Sequence, residues 1–122
     1  MEWTISFLPD QQMVVIQTRG VADETSSVEM AKSISKTMAQ HKVMRCLIDH
    51  SAISSVSGNT VEIYYHPKRL IEIGVPATVK IAEVVLPAHK EHFDFLETVC
   101  RNRGFDFCTF EDRGSAIQWL MK

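Results

Sequence analysis

The stretch Val43 to Asn59, VMRCLIDHSAISSVSGN, constrains the fold more than any other part of the chain. It opens as an apolar run, Val43-Met44 then Cys46-Leu47-Ile48, and arrives at an acid-imidazole pair, Asp49-His50. Ser51, Ser54, Ser55 and Ser57 follow in what reads as a serine-rich loop, closing on Gly58-Asn59 before a helical pattern. A buried strand running out into polar residues and a helix start is where open α/β sheets place their ligands.

The flanking sequence supplies matching elements. Trp3, Ile5 and Phe7 alternate with Thr4 and Ser6 as in a half-buried strand, Pro9 to Gln12 is a turn, and Met13 to Thr18 is a second strand. The chain thus opens with an antiparallel hairpin, ended by Gly20. Asp23 and Ser26 are both suitable N-caps, with Ser26-x-x-Glu29 at capping-box spacing. Val28, Ala31, Ile34 and Met38 make the apolar stripe of a helix to about His41, and a strand over Val43 to Asp49 follows.

From Asn59 the pattern is helical again, with Asn59-x-x-Glu62 as a cap and Val61, Tyr64 and Tyr65 as packing residues. Pro67 predicts a kink or a split, leaving a short second piece through Ile73. A β-rich run from Ala77 to Val85 precedes a helix from about Ala88 to Arg103, whose stripe is Phe93, Leu96, Val99 and Cys100. Phe105 to Phe110 is a fifth strand, and Asp112 caps a last helix that turns Ala116, Ile117 and Leu120 inward. The order β-β-α-β-α-β-α-β-α is that of an α/β domain with right-handed crossovers.

With 122 residues, the chain makes one domain, 1–122, large enough to bury a core without metal or disulfide staples. A net charge of −2 with dispersed Lys and Arg excludes the electrostatic footprint of a nucleic-acid binder. Cys46, Cys100 and Cys108 are odd in number and share no metal-type spacing, which fits a reducing compartment. The start, MEWTISFLPD, lacks the regions of a signal peptide, and no run reaches membrane-spanning length. The expectation is a cytoplasmic protein that does not span a membrane. No cofactor signature is present.

Leu47-Ile48-Asp49-His50-Ser51 resembles the end of the central strand in the STAS family (sulfate transporter and anti-sigma-factor antagonist domains), which carries leucine, aspartate and serine there. Phe110-Glu111-Asp112 with Ala116-Ile117-x-Trp119-Leu120 is similar to the close of the small bacterial SpoIIAA-like branch. The resemblance covers the whole chain by pattern. It implies a SpoIIAA-like (STAS) α/β fold: a leading antiparallel strand, then four βα units in a mixed, mostly parallel five-stranded sheet. It also implies a non-enzymatic regulatory or binding module. Partner-switching members are phosphorylated on a serine in Asp-Ser-Ser-Gly or Asp-Ser-Thr-Gly. Val56-Ser57-Gly58 departs from this motif, lacking the aspartate and lying about two residues closer to Asp49.

The expected contact surface is therefore Asp49, His50, Ser51, Ser57, Gly58 and Asn59, facing a protein partner or a small apolar or anionic ligand. Ser57 with Gly58 and Asn59 could hold an anion at a helix start, although Ser and Asn are also simply the preferred caps. Tyr64, Tyr65 and His66 could line the same edge. An enzymatic alternative uses His50 with His89-x-x-His92 around a metal, or Asp49, His50 and a serine as a triad. Adjacent strand residues point to opposite faces, and no Gly-x-Ser-x-Gly elbow is present, which disfavours the triad. Lys90, Arg101 and Arg103 on one helix could meet an acidic partner or merely complement the helix dipole.

Lys80 and Asp106 stand out of phase with Val79-Ile81 and Phe105-Phe107, which suggests a sheet face without helical cover. Val84, Cys108 and Phe110 share that phase, and a mixed charged and apolar face suits a homodimer contact or an oligomeric structural subunit.

Overall fold

The computed structural model describes residues 1–122. Five strands, β1 (Glu2–Leu8), β2 (Met13–Ala22), β3 (Arg45–Val56), β4 (Lys80–Val84) and β5 (Asp106–Phe110), form one sheet in sequence order. β1 is antiparallel to β2 and every other pairing is parallel. Four helices, α1 (Glu24–His41), α2 (Thr60–Glu72), α3 (Lys90–Asn102) and α4 (Arg113–Leu120), join or follow the strands, and a single 3-10 turn at Pro87–His89 leads into α3. No helix is long and apolar enough to cross a membrane.

Parallel strands laid down in sequence order, with crossovers of one hand, send every connecting helix over the same face. The larger core obeys this rule. It joins Val14, Ile16, Cys46, Ile48, Ile81 and Phe107 of the sheet to Met30, Ile34 and Met38 of α1, Ile63 and Leu70 of α2, and Phe93, Leu96 and Val99 of α3. The caps expected from sequence are largely present. Asp23 accepts from Ser26 N, and Asp112 accepts from Ser115 N, each at 2.8 Å.

The opposite face is not bare, as the out-of-phase charges had suggested. α4 has no strand after it, so the crossover rule does not bind it, and it folds back beneath β3 and β4. Ala116 and Leu120, both fully buried, close a second core with Met13, Val15, Leu47, Ala82 and Val84. Lys80 and Asp106 are the first residues of their strands rather than interior ones, and they pair across the ladder. The Lys80 ammonium donates to the Trp119 carbonyl and lies 4.5 Å over the Trp119 ring. Arg45 Nε donates to the Leu120 carbonyl at 2.9 Å. Both cations thus satisfy carbonyls at the C-terminus of α4, where the dipole favours positive charge. The homodimer expectation loses the uncovered face on which it rested.

Two further expectations need correction. α2 is not split at Pro67 but runs unbroken from Thr60 to Glu72. Pro67 is itself buried with Ile63 and Leu70, so packing offsets the backbone hydrogen bond that proline cannot donate. Residues 51–56 are not a loop. β3 continues through them to Val56, paired with β2 alone because β4 ends opposite Asp49.

That extension carries two bulges. Gln17 pairs with Asp49 and Arg19 with Ala52, so β3 spends one residue more than β2 around His50-Ser51; Ser54 is a second extra residue. A bulge inverts the in-out phase of the residues beyond it. Hence Cys46, Ile48 and His50 face the helical layer before it, and Ile53 is buried in the same core after it. Removing residues after Ala116 strips Leu120 and Trp119 from the second core. The loss should exceed about 3 kcal/mol, read as a lowered urea midpoint; an unchanged midpoint would contradict this placement of α4.

Candidate functional site

A cavity of about 360 Å³ lies between the sheet and helices α1, α2 and α3. Its walls are mainly apolar, with Met30 and Ile34 from α1, Ile63 from α2, Phe93 and Leu96 from α3, and Ile48 from β3. At the carboxyl ends of the strands the lining becomes polar, with His50, Glu83, His66 and His92. This is the edge at which open α/β sheets take ligands.

Thr18, His50 and Glu83 form a row across β2, β3 and β4, and all three are at least 95% buried. Thr18 Oγ1 lies 3.1 Å from the Asp49 carbonyl and 2.7 Å from His50 Nδ1. A carbonyl only accepts, so the hydroxyl donates to it, and both contacts are hydrogen bonds only when Nδ1 carries a proton and donates to Thr18. In the neutral ring, Nε2 is then a bare acceptor. It faces Glu83 Oε1 at 3.5 Å, and that carboxylate oxygen has no hydrogen-bond partner in the chain. The His50 ring is also stacked on Phe93, with centroids 4.9 Å apart.

Around this row the other groups are held in place. Glu24 at the start of α1 accepts from His66 Nδ1 at 3.0 Å and from Arg69 Nη1 at 3.1 Å, fastening α1 to α2 beside the cavity. Burial depresses the pKa of His92, which favours its neutral ring. Burial, with the charge of Glu83 adding to it, pushes the Cys46 and Cys100 thiols far up. Neither is a nucleophile in this state.

Of the residues singled out from sequence, His50, Ser57 and Gly58 line the cavity, whereas Asp49, Ser51 and Asn59 do not. Asp49 is on the opposite face of β3, bound to Arg113 Nε at 2.6 Å, so the structure does not assemble an Asp49-His50 triad. Ser51 is exposed, and its backbone N–H donates to the Asp49 carboxylate at 2.9 Å. Ser57 is not the cap of α2. Asn59 is, accepting from Glu62 N at 2.9 Å, while Ser57 N continues the β2–β3 ladder by donating to the Ala22 carbonyl at 2.8 Å. Gly58 makes the turn between them at φ +119°, a conformation that other residues resist.

His92 reaches the cavity but His89 does not; it stands in the 3-10 turn with a buried, unpartnered Nδ1. No three His, Cys, Asp or Glu side chains converge as metal ligands would. Tyr64 and Tyr65 point outward, and only His66 of that trio lines the site. Arg101 Nε donates to the Phe107 carbonyl, a structural bond within the fold.

Two measurements check this placement. Asn59→Ala should cost about 1 kcal/mol as a lost cap, while Ser57→Ala should stay within about 0.5 kcal/mol; the reverse order would restore Ser57 as the cap. The second concerns Asp49. Burial raises its pKa, but hydrogen bonds from Ser51 and the Arg113 guanidinium outweigh that, and the carboxyl sits below its ordinary value. A carboxyl with a depressed folded-state pKa contributes stability above its unfolded pKa, and that contribution is lost as pH falls through the folded value. Arg113→Ala should therefore lower stability at neutral pH and move the acid-unfolding midpoint upward, with little difference once the carboxyl is protonated in both proteins. An acid midpoint unmoved by the substitution would count against the pairing.

No protein-family model matches the chain, and no curated protein matches it. Solved structures do. The anti-sigma factor antagonist SpoIIAA in its unphosphorylated form superposes with a TM-score of 0.55 at 15% identity, covering 97% of this chain and 96% of that one. An uncharacterised protein of the DUF3478 family with a SpoIIAA-like fold, from Shewanella loihica PV-4, gives 0.60 at 17% identity, covering 98% and 92%. At such identities the likeness is one of fold alone. With a leading antiparallel strand, four βα units and a mixed five-stranded sheet matched end to end, the chain carries the SpoIIAA-like, STAS-type fold.

Proposed function

We propose that the protein is a non-enzymatic binding module that takes a small, mainly apolar molecule into the cavity beneath α1, α2 and α3. One observation carries the reading: the cavity is of ligand size and mainly apolar, yet ends on a buried carboxylate, Glu83, with one oxygen that the fold leaves without a hydrogen bond. A volume of about 360 Å³ corresponds to roughly a dozen water-sized groups.

A second reading, a regulatory module for a protein partner, rests on a different surface. α2 turns Val61, Tyr64, Tyr65 and Ile71 to solvent, an apolar outer face on a helix whose inner face is already buried. Such a patch marks an interaction surface, and the SpoIIAA neighbour is described as an anti-sigma factor antagonist. The two readings use opposite faces of one helix and are compatible.

Titration with N-phenyl-1-naphthylamine, an uncharged apolar fluorophore, tests the first. Saturable one-site enhancement is expected, weakened about tenfold or more by Met30→Trp, which fills the cavity from α1, and unchanged by Val61→Ser with Tyr64→Ser on the outer face. Overpacking of this kind costs about 1–3 kcal/mol of stability, so thermal unfolding of the Trp variant is read alongside. Absence of saturable binding to the wild type would refute the cavity reading.

A further inference from the structure

The polar end of the cavity is more specific than its apolar walls. Glu83 shares its strand face with Ile81 and its carboxylate is buried among the core side chains, where an unpartnered charge is costly. Its Oε1 accepts no hydrogen bond from the chain. His50 Nε2 stands 3.5 Å away without hydrogen-bond geometry, and because the Thr18 contact places a proton on Nδ1, Nε2 of the neutral ring is an acceptor as well. With that ring neutral, two acceptors sit side by side at the end of an apolar chamber, and the group that satisfies both is a donor.

The remaining charge points the same way. The formally charged residues lining the cavity are Asp23, Glu24, Glu62, Glu83 and Lys42; Glu24 is paired with Arg69 and Asp23 with the N-terminal ammonium, which leaves Glu62 and Glu83 as the lining carboxylates without a Lys or Arg partner. Lys42 is the C-cap of α1, at the other end of that helix from Asp23 and Glu24. An anionic head placed beside Glu83 would meet a like charge and an imidazole lone pair in a poorly solvated site, where neither is screened.

Resting on the cavity reading above, we infer that the ligand is a single-chain amphiphile whose head donates hydrogen bonds, a primary amine or an alcohol, with the head at His50 and Glu83 and the chain along Ile48, Phe93 and Leu96. A fatty-acid carboxylate, although its chain would fit equally well, is selected against. Glu83 is then the specificity-determining residue of the cavity, and Thr18 is a positioning residue that fixes the His50 tautomer.

Three ligands with one chain, decylamine, 1-decanol and decanoate, separate head from tail. Each displaces N-phenyl-1-naphthylamine from the wild-type protein at neutral pH, below its aggregation threshold, with calorimetry as the direct check. The amine and the alcohol should bind at least about tenfold more tightly than decanoate, the size expected of one hydrogen bond to a charged group. Glu83→Gln removes the charge at nearly constant shape. It should bring amine and carboxylate to within about threefold of each other while the alcohol still binds. Decanoate binding as tightly as the amine and the alcohol in the wild type overturns the head-group assignment and leaves the cavity reading standing. Failure of all three ligands and of the fluorophore overturns both. The wild-type ranking decides the matter even if Glu83→Gln does not fold, and an amine preference that survives in a folded Glu83→Gln also refutes the assignment.

Discussion

Everything in this molecule depends on a sheet whose parallel strands are laid down in sequence order. With one hand of crossover, three helices must share one face of that sheet, and five strands are wide enough to take them side by side. The helices supply large flexible side chains at their inner positions, Met30 and Met38 among them, which close around the sheet without filling the space above β3 and β4. The cavity is therefore a product of the topology rather than of a local defect. The same constraint leaves the other face unserved until the chain ends. α4 covers it, held by Ala116 and Leu120 from within and by Lys80 and Arg45 at its C-terminal carbonyls.

The element order, the caps at Asp23 and Asp112 and the facing of the helical stripes were legible because each is written in local periodicity or in one residue's chemistry. The cover by α4 was not, since no periodic signal says which face a terminal helix chooses. Lys80 shows the resulting error. Its phase marked the second face correctly, but a lysine there signals solvent only when no helix end waits to receive it. The extension of β3 was hidden by its serines, which are exposed and bonded to β2 alone. Pro67 misled because a propensity of a few kcal/mol yields to burial on both sides.

The site itself was half visible. His50 follows from the strand that ends in polar residues, and the opposite facing of Asp49 follows from strand geometry. Glu83 and Thr18 were missed, although a signal existed. Val79, Ile81, Glu83 and Val85 share one strand phase, as do Val14, Ile16 and Thr18. A carboxylate in phase with an apolar face must be buried, and a buried carboxylate needs a partner. That argument identifies a functional candidate without any motif, whereas searching for serines near a helix start finds a ladder residue, Ser57, and a cap, Asn59.

The likeness to an anti-sigma factor antagonist and to a second SpoIIAA-like protein fixes the frame, but the chemistry of this chain lies in how the frame is furnished. A valine at position 83 would extend the β4 run and spare the fold a buried charge, and apolar replacement of buried charge is often stabilising. With glutamate there, the chain buries a carboxylate oxygen that none of its own groups hydrogen-bonds, at a cost to its own stability. On the proposed reading a bound donor removes that cost, so the free energy withheld from folding reappears as affinity for one kind of head group. On that reading stability and specificity are coupled through a single carboxylate, and the polar end of the cavity, rather than its volume, selects the ligand.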